Sequence, residues 1–175
     1  AIAFASRMSF GTNQWGTEGT GEDVFHAAFA AKNGIIAAKL AKAGAIGATM
    51  SLSGTDGLLA SYDALNNKDL LVYNLGKNLI DDIEYKGVEG CLMTQMPSML
   101  ACNLVMNPSF KFSLIKDVKV YCSKQALLQP GCDSISVSNE IQAKMNIRYV
   151  VASVLSGIPR DKIRWISPYD KNILN

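Results

Sequence analysis

The chain has 175 residues, 49% of them hydrophobic, which is enough for one domain of good size or two small ones. Seventeen basic and fifteen acidic residues leave a net charge of +2, with no arginine–lysine block, so the composition gives no support for a nucleic-acid partner. The longest apolar runs fall well short of the roughly 20 residues that a spanning helix needs. A membrane partner is therefore not supported either.

The first elements in chain order are helical. Residues 1–10 are apolar at near-helical spacing, and the threonine- and glycine-rich residues 11–21 predict a loop. A strong helix pattern follows and ends at Gly44, which can take the left-handed conformation of a helix terminus. Its many alanines let neighbours approach closely, so we expect this helix to be central and buried, with Gly34 at a close helix contact or a kink.

The only histidine of the chain, His26, lies in the first turn of this predicted helix. A neutral imidazole at that place can act as a general base. The alternative is a capping or core histidine without a chemical role, and the residue type alone favours that alternative.

The second part of the chain has a different character. A brief helix over residues 58–65 and a polar joint at residues 66–69 precede it. Beyond the joint, residues 79–85 and 110–122 alternate between apolar and polar side chains, which predicts two strands. The later predicted helices run over residues 97–106 and from about residue 138 to Gly157, and one further short element begins at Pro159.

These patterns together predict a mainly α fold with an α+β part. Residues 1–68 would form the end of an all-helical domain, and residues 69–175 a smaller α+β lid domain.

Four cysteines lie at least ten residues apart along the chain, namely Cys91, Cys102, Cys122 and Cys132. Their spacing fits neither a zinc site nor a dense disulfide framework. We interpret them as reduced thiols of a cytoplasmic protein.

Several motifs resemble the MmgE/PrpD family, which includes 2-methylcitrate dehydratase, cis-aconitate decarboxylase and iminodisuccinate epimerase. In order along the chain they are residues 25–44 around His26, Gly57-Leu58-Leu59, Leu75-Gly76, Tyr85-Lys86 and residues 142–152. Each motif is weak by itself, but their common order covers nearly the whole chain.

The resemblance implies a large helical domain with a smaller α+β lid, an active site between them, and homodimers. It also implies no cofactor and no metal. The substrate would be a small di- or tricarboxylate, and proton transfer would occur at a carbon next to a carboxyl group. Such chemistry needs a base near the acidic C–H bond and cations where negative charge develops.

The same resemblance carries roles to individual residues. His26, Lys86 and Tyr149 match the family's histidine, its loop lysine and its helix tyrosine, so they are the candidate catalytic residues. The candidate substrate-binding residues are Lys32, Cys91 and Gln95, which stand where relatives have histidine or, in some cases, glutamine.

The sequence also departs from the family pattern. Asp23 stands where a basic residue is common, and it would repel an anionic substrate. The family's N-terminal half has no counterpart in this sequence. We therefore expect a fragment, a split-gene subunit or a decayed relative.

Three functions remain open at this stage. The chain is part of a cofactor-independent lyase, either a dehydratase or a decarboxylase, or of an isomerase or epimerase of the same family. Alternatively, it is a non-catalytic or split-gene subunit that pairs with a chain carrying the missing N-terminal half. The third possibility is an unrelated helical interaction module.

Overall fold

The computed structural model describes residues 1–158, and the element predicted to begin at Pro159 lies outside them. Eight α-helices lie in the described part, in chain order α1 Ile2–Arg7, α2 Gln14–Glu18, α3 His26–Lys42, α4 Leu58–Ser61, α5 Gln95–Val105, α6 Lys124–Leu128, α7 Glu140–Met145 and α8 Ile147–Leu155. Shorter 3₁₀ turns occur at Gly21–Phe25, Leu65–Leu71, Ile80–Asp82, Leu92–Thr94 and Phe112–Leu114.

The predicted α+β part is wrong for the residues that the structure describes, because they contain helices and turns but no strand. Residues 79–85 hold a 3₁₀ turn at Ile80–Asp82. After the turn at Phe112–Leu114 the chain is irregular up to α6, although the backbone of Ile115 is extended. Alternating side chains produce a strand only when a second extended segment supplies the backbone partners, and none does so here.

Packing divides the chain into two compact units. Unit 1 comprises Ala1–Thr12 and Glu22–Ile83, and unit 2 comprises Asn13–Gly21 and the chain from Glu84 onward. The predicted domains, residues 1–68 and 69–175, are portions of a larger fold. This division into units does not test them, and they stay a prediction.

Unit 1 is built on the pairing of α1 with α3. The side-chain amide of Asn33 in α3 donates a hydrogen bond of 3.1 Å to the carbonyl of Met8, just after α1. The chain also passes close to α1 at Gly47, where an added Cβ would lie 2.6 Å from the Cβ of Ala3. Glycine is therefore required at this approach.

Helix α3 confirms the predicted helix but not its predicted burial. It ends as expected, with Gly44 in the left-handed region at a φ of 87°. Of its residues only Ala37 is buried, whereas Phe29 and Ile35 are 56% and 59% exposed. Of the two alternatives predicted for Gly34, the close helix contact is wrong, because a Cβ there would meet nothing within 4 Å, and the kink stays a prediction. An alanine-rich helix buries little surface where its neighbours are few.

Unit 2 has a true core, centred on α8. Seven of the nine residues of α8 are buried, and α5 packs along it. The buried apolar cluster consists of Val88, Ala101, Ala126, Cys132, Met145, Ile147, Val150, Val151, Val154 and Leu155.

Two asparagines begin the last two described helices. Asn139 accepts a hydrogen bond from the backbone N–H of Gln142 and caps α7, close to residue 138, where the sequence predicts that this helix begins. The single predicted helix, however, is broken at Asn146, whose Oδ1 accepts from the N–H of Tyr149 at 2.8 Å and starts α8. The buried Asn146 also donates to the carbonyl of Ser134 at 2.7 Å, so the break fixes a neighbouring loop.

Within the described residues, no helix combines the length and the apolar character needed to cross a membrane. The predicted cytoplasmic location is a separate matter and stays a prediction.

Candidate functional site

A tight loop before α5 brings three of the candidate site residues together. The Nζ of Lys86 donates to the carbonyl of Gly90 at 3.0 Å. The side-chain amide of Gln95 closes the loop, because its Nε2 donates to the carbonyls of Val88 at 2.9 Å and Cys91 at 3.2 Å, and its Oε1 accepts from the N–H of Val88. Gln95 is buried, and its amide already makes hydrogen bonds within the loop. The amide is therefore poorly placed to bind a substrate.

The loop turns at Gly90, which has a φ of 137°. Only glycine adopts this conformation easily, and a Cβ here would also collide with the hydroxyl of Thr94. That hydroxyl donates to the carbonyl of Cys91 at 2.8 Å. The backbone of Cys91 is therefore held from within its own loop.

The end of α7 holds Cys91 from the other side. The backbone N–H of Cys91 donates to the carbonyl of Lys144 at 2.8 Å. In the neutral thiol form, Cys91 Sγ lies 3.6 Å from the carbonyl of Met145 and can donate to it. The side chain of Cys91 remains half-buried, so small molecules can reach it.

Cys132 lies on a second loop fixed to the same segment. Its backbone carbonyl accepts from the N–H of Ile147 at 3.0 Å. The preceding Gly131 has a φ of 82°, and a Cβ on it would collide with the carbonyl of Gly16 in α2. Cys132 itself is fully buried.

The two cysteine loops place Cys91 Sγ and Cys132 Sγ 3.7 Å apart. A hydrogen bond from Cys132 lowers the pKa of Cys91 to about 6, helped by the backbone N–H groups of Thr94 and Met93 and by the charge of Lys86, while burial opposes the shift. The same partnership and burial raise the pKa of Cys132. In this pair Cys91 is the more acidic thiol, and Cys132 can donate to it once Cys91 has ionised.

The remaining candidate residues lie elsewhere. His26 is the first residue of α3 and Lys32 follows two turns later, and both are exposed on unit 1. The exposure of His26 removes the alternative of a core histidine. Tyr149 belongs to α8 in unit 2 and is buried, with 4% of its surface exposed.

A cavity of about 750 Å³ lies within unit 1. Its polar lining includes Arg7, Asp56 and Tyr62, and none of the six candidate residues borders it. The part of the chain that the structure describes also holds no cluster of three or more histidine, cysteine or acidic side chains that could bind a metal ion.

The sequence did not indicate Cys132 as a candidate site residue. It is separated from Cys91 by 41 positions, and nothing in either local sequence indicates that the two thiols meet. The only available signal is the glycine before Cys132, which indicates a sharp turn but not its partner.

No family model matches the sequence, and no curated protein or solved structure shows significant similarity to it. The resemblance to the MmgE/PrpD family therefore rests on the motifs quoted from the sequence and stays a prediction.

Proposed function

We propose that this chain is part of a cofactor-independent lyase of the MmgE/PrpD type, a dehydratase or decarboxylase that acts on a small di- or tricarboxylate. The observation that carries the proposal is the position of His26, an exposed imidazole at the start of a 17-residue helix. The exposure of His26 lets a substrate reach it, and a surface packed against α3 would hold the imidazole in a fixed direction.

The geometry of unit 2 supports a carboxylate-binding role for Lys86. Its ammonium group is exposed and uses one donor on Gly90, so further donors can face a ligand. Cys91 and Gln95 fit substrate binding less well. The thiolate of Cys91 would repel a carboxylate, and Gln95 is occupied by the loop. His26 and Lys86 are thus the best-supported candidates.

A second function is favoured by the exposed apolar surface of unit 1. In this proposal the chain is a non-catalytic or split-gene subunit whose α3 packs against a chain that carries the N-terminal half of the family fold. Phe25, Phe29 and Ile35, each more than half exposed, would be covered in that assembly. Covering them would stabilise the complex through the hydrophobic effect.

Turnover by the assembled protein separates these proposals. The chain is combined with the polypeptide that carries the N-terminal half, and small polycarboxylates are screened for loss of water or carbon dioxide. In the lyase, His26→Gln lowers turnover by roughly 100-fold, as removal of a general acid or base does. Lys39→Gln, in the last turn of the same helix, is the matched control and leaves turnover unchanged.

Other results would redirect the assignment. Unchanged turnover in His26→Gln would remove His26 from the mechanism. Turnover that is the same with and without this chain would make it a non-catalytic subunit. Formation of a stereoisomer of the substrate, without loss of water or carbon dioxide, would indicate an epimerase.

A further inference from the structure

The Cys91–Cys132 pair is a preorganised arrangement that lyase chemistry does not use. Both cysteines are held by backbone hydrogen bonds to residues 144–147, Cys91 through its N–H and Cys132 through its carbonyl. The pair is therefore fixed by main-chain geometry at the junction of α7 and α8. Two thiols held in this way at 3.7 Å are close to the approach distance of reacting atoms.

We propose that Cys91 and Cys132 form a reversible dithiol–disulfide site, in which a hydroperoxide oxidises Cys91 and Cys132 then closes the disulfide. This modification site goes beyond the proposed lyase activity and does not depend on it. Closing the bond from 3.7 Å to about 2.05 Å moves the sulfurs together by about 1.7 Å.

The burial of the two side chains sets the order of the steps. Cys91 is only partly buried, whereas Cys132 is fully buried within the core cluster of unit 2, so a small peroxide reaches Cys91 first. Cys91 is therefore the attacking thiol and Cys132 the resolving thiol. This division is typical of redox-sensing pairs, in which a reactive thiolate lies next to a resolving cysteine.

The reaction balances with the peroxide as oxidant. With hydrogen peroxide, the thiolate of Cys91 attacks one oxygen, an S–O bond forms, the O–O bond breaks, and the released hydroxide takes up the proton that Cys91 gave to the solvent when it ionised. Cys132 then attacks the sulfenic sulfur of Cys91, the S–S bond forms, the S–O bond breaks, and the thiol proton leaves with the hydroxyl as water. Two thiols are oxidised and one hydrogen peroxide is reduced to two waters.

Hydrogen bonds to Cys91, from Cys132 above all, favour the first step. The pKa of Cys91 is lowered to about 6, so most of this thiol is ionised at pH 7, whereas an ordinary cysteine is mainly protonated. The titratable groups that act on the pair are Lys86 on Cys91 and Cys122 on Cys132. Alkylation of Cys91 by iodoacetamide should rise as the pH passes through about 6 and level off above it. A rise centred on the ordinary cysteine range would show that these hydrogen bonds do not lower the pKa of Cys91.

Peptide mapping of the oxidised full-length chain tests the proposal. The reduced protein is treated with about one equivalent of hydrogen peroxide at pH 7 and digested without reductant for mass spectrometry. We expect a Cys91–Cys132 cross-linked peptide at least about tenfold more abundant than any disulfide with Cys102 or Cys122, because the pair is already in contact. A thiol reductant should restore the free thiols. Disulfides spread evenly over the four cysteines would overturn the proposal.

Variants make the test independent of the cross-link itself. In Cys132→Ser, the sulfenic acid of Cys91 should persist and be trapped by dimedone in at least about tenfold greater yield than in the wild type. Cys102→Ser is the matched control and should behave as the wild type. Equal trapping in the wild type and Cys132→Ser would show that Cys132 does not resolve Cys91, and would overturn the proposal.

Discussion

The two units use similar amounts of apolar sequence in different ways. In unit 2, α8 buries seven of its nine residues, including Val150 and Leu155. In unit 1, which the structure describes in full, α3 is nearly twice as long and buries only Ala37. Helix formation and helix burial are therefore separate properties of this chain. Unit 2 has the contacts of a stable core, whereas α3 gains little stability from packing within the chain.

The candidate reactive residues of the two units differ in the same way, because those of unit 2 are held more tightly than His26 of unit 1. The residues that the structure fixes tightly, Cys91 and Cys132, lie beside the core of unit 2. His26 lies on a helix with little tertiary support. A catalytic base needs a held direction, so the proposed lyase requires that α3 be covered by another surface before His26 can work efficiently.

The largest effect on the free energy of unfolding is expected for a buried leucine of unit 2, with an exposed leucine of α3 as its comparison. Leu155→Ala should lower the free energy of unfolding by about 2 to 5 kcal/mol, because it opens a cavity in the core of unit 2. Leu40→Ala in α3 removes the same atoms from a side chain that is 40% exposed, and it should cost about 1 kcal/mol or less. Urea denaturation followed by circular dichroism measures both. Equal losses would remove the contrast between the units.

Oxidation should increase the difference in stability between the two units, because the disulfide would stabilise unit 2 alone. A Cys91–Cys132 disulfide would close a loop of 41 residues and raise the free energy of unfolding by about 2 to 4 kcal/mol. Melting of the oxidised and reduced chains, with Cys132→Ser treated identically, measures the gain. If Cys132→Ser gained the same stability on oxidation, the gain would come from oxidation of another residue and not from this disulfide.

Asn146 should show a smaller effect. Asn146→Ala removes the cap of α8 and leaves the partly buried carbonyl of Ser134 without this donor, so it should cost about 1 to 3 kcal/mol. Asn139→Ala removes the more exposed cap of α7 and a long hydrogen bond of 3.4 Å to the carbonyl of Glu18, and about 1 kcal/mol or less is expected. Denaturation curves of the two variants provide the comparison. A larger loss from Asn139→Ala would contradict the central role of α8.

The smallest effect is expected on α3. Phe29→Gln should change the stability of the isolated chain by no more than about 0.5 kcal/mol, because the ring is more than half exposed and its main aromatic contact is Phe25, at 6.0 Å between centroids. In an assembly with the proposed partner chain, the same change should weaken association. Differential scanning calorimetry measures the first effect and analytical ultracentrifugation the second. Unchanged association would exclude this face as the contact.

Local signals in the sequence predict the C-terminal ends of α3 and α8, but the helix predicted over residues 58–65 already ends at Ser61, and the loop predicted over residues 11–21 contains α2. Gly44, Asn139 and Gly157 act through their own backbone or a neighbour within three residues, so their roles can be derived without the fold. The break at Asn146 was missed, because an asparagine within an apolar pattern shows no sign that its side chain starts a new helix.

Features that depend on distant residues were not predictable in this way. The alternation around Val118 and Val120 indicates a strand only if a partner strand exists, and the described residues contain none. The buried helix predicted from the alanines of α3 needed neighbours that unit 1 does not provide. Similarly, the contact of Cys91 with Cys132 depends on backbone bonds from both loops to residues 144–147. Each of these outcomes was decided by tertiary context.

Hydrogen exchange, read by mass spectrometry, tests the difference between the units most directly. In the isolated chain, amides of α8 should exchange only by large-scale unfolding, whereas those of α3 should exchange at least about 100-fold faster through local opening. Addition of a chain that carries the N-terminal half should slow exchange in α3 and leave α8 nearly unchanged. Protection of α3 equal to that of α8 in the isolated chain would contradict the account.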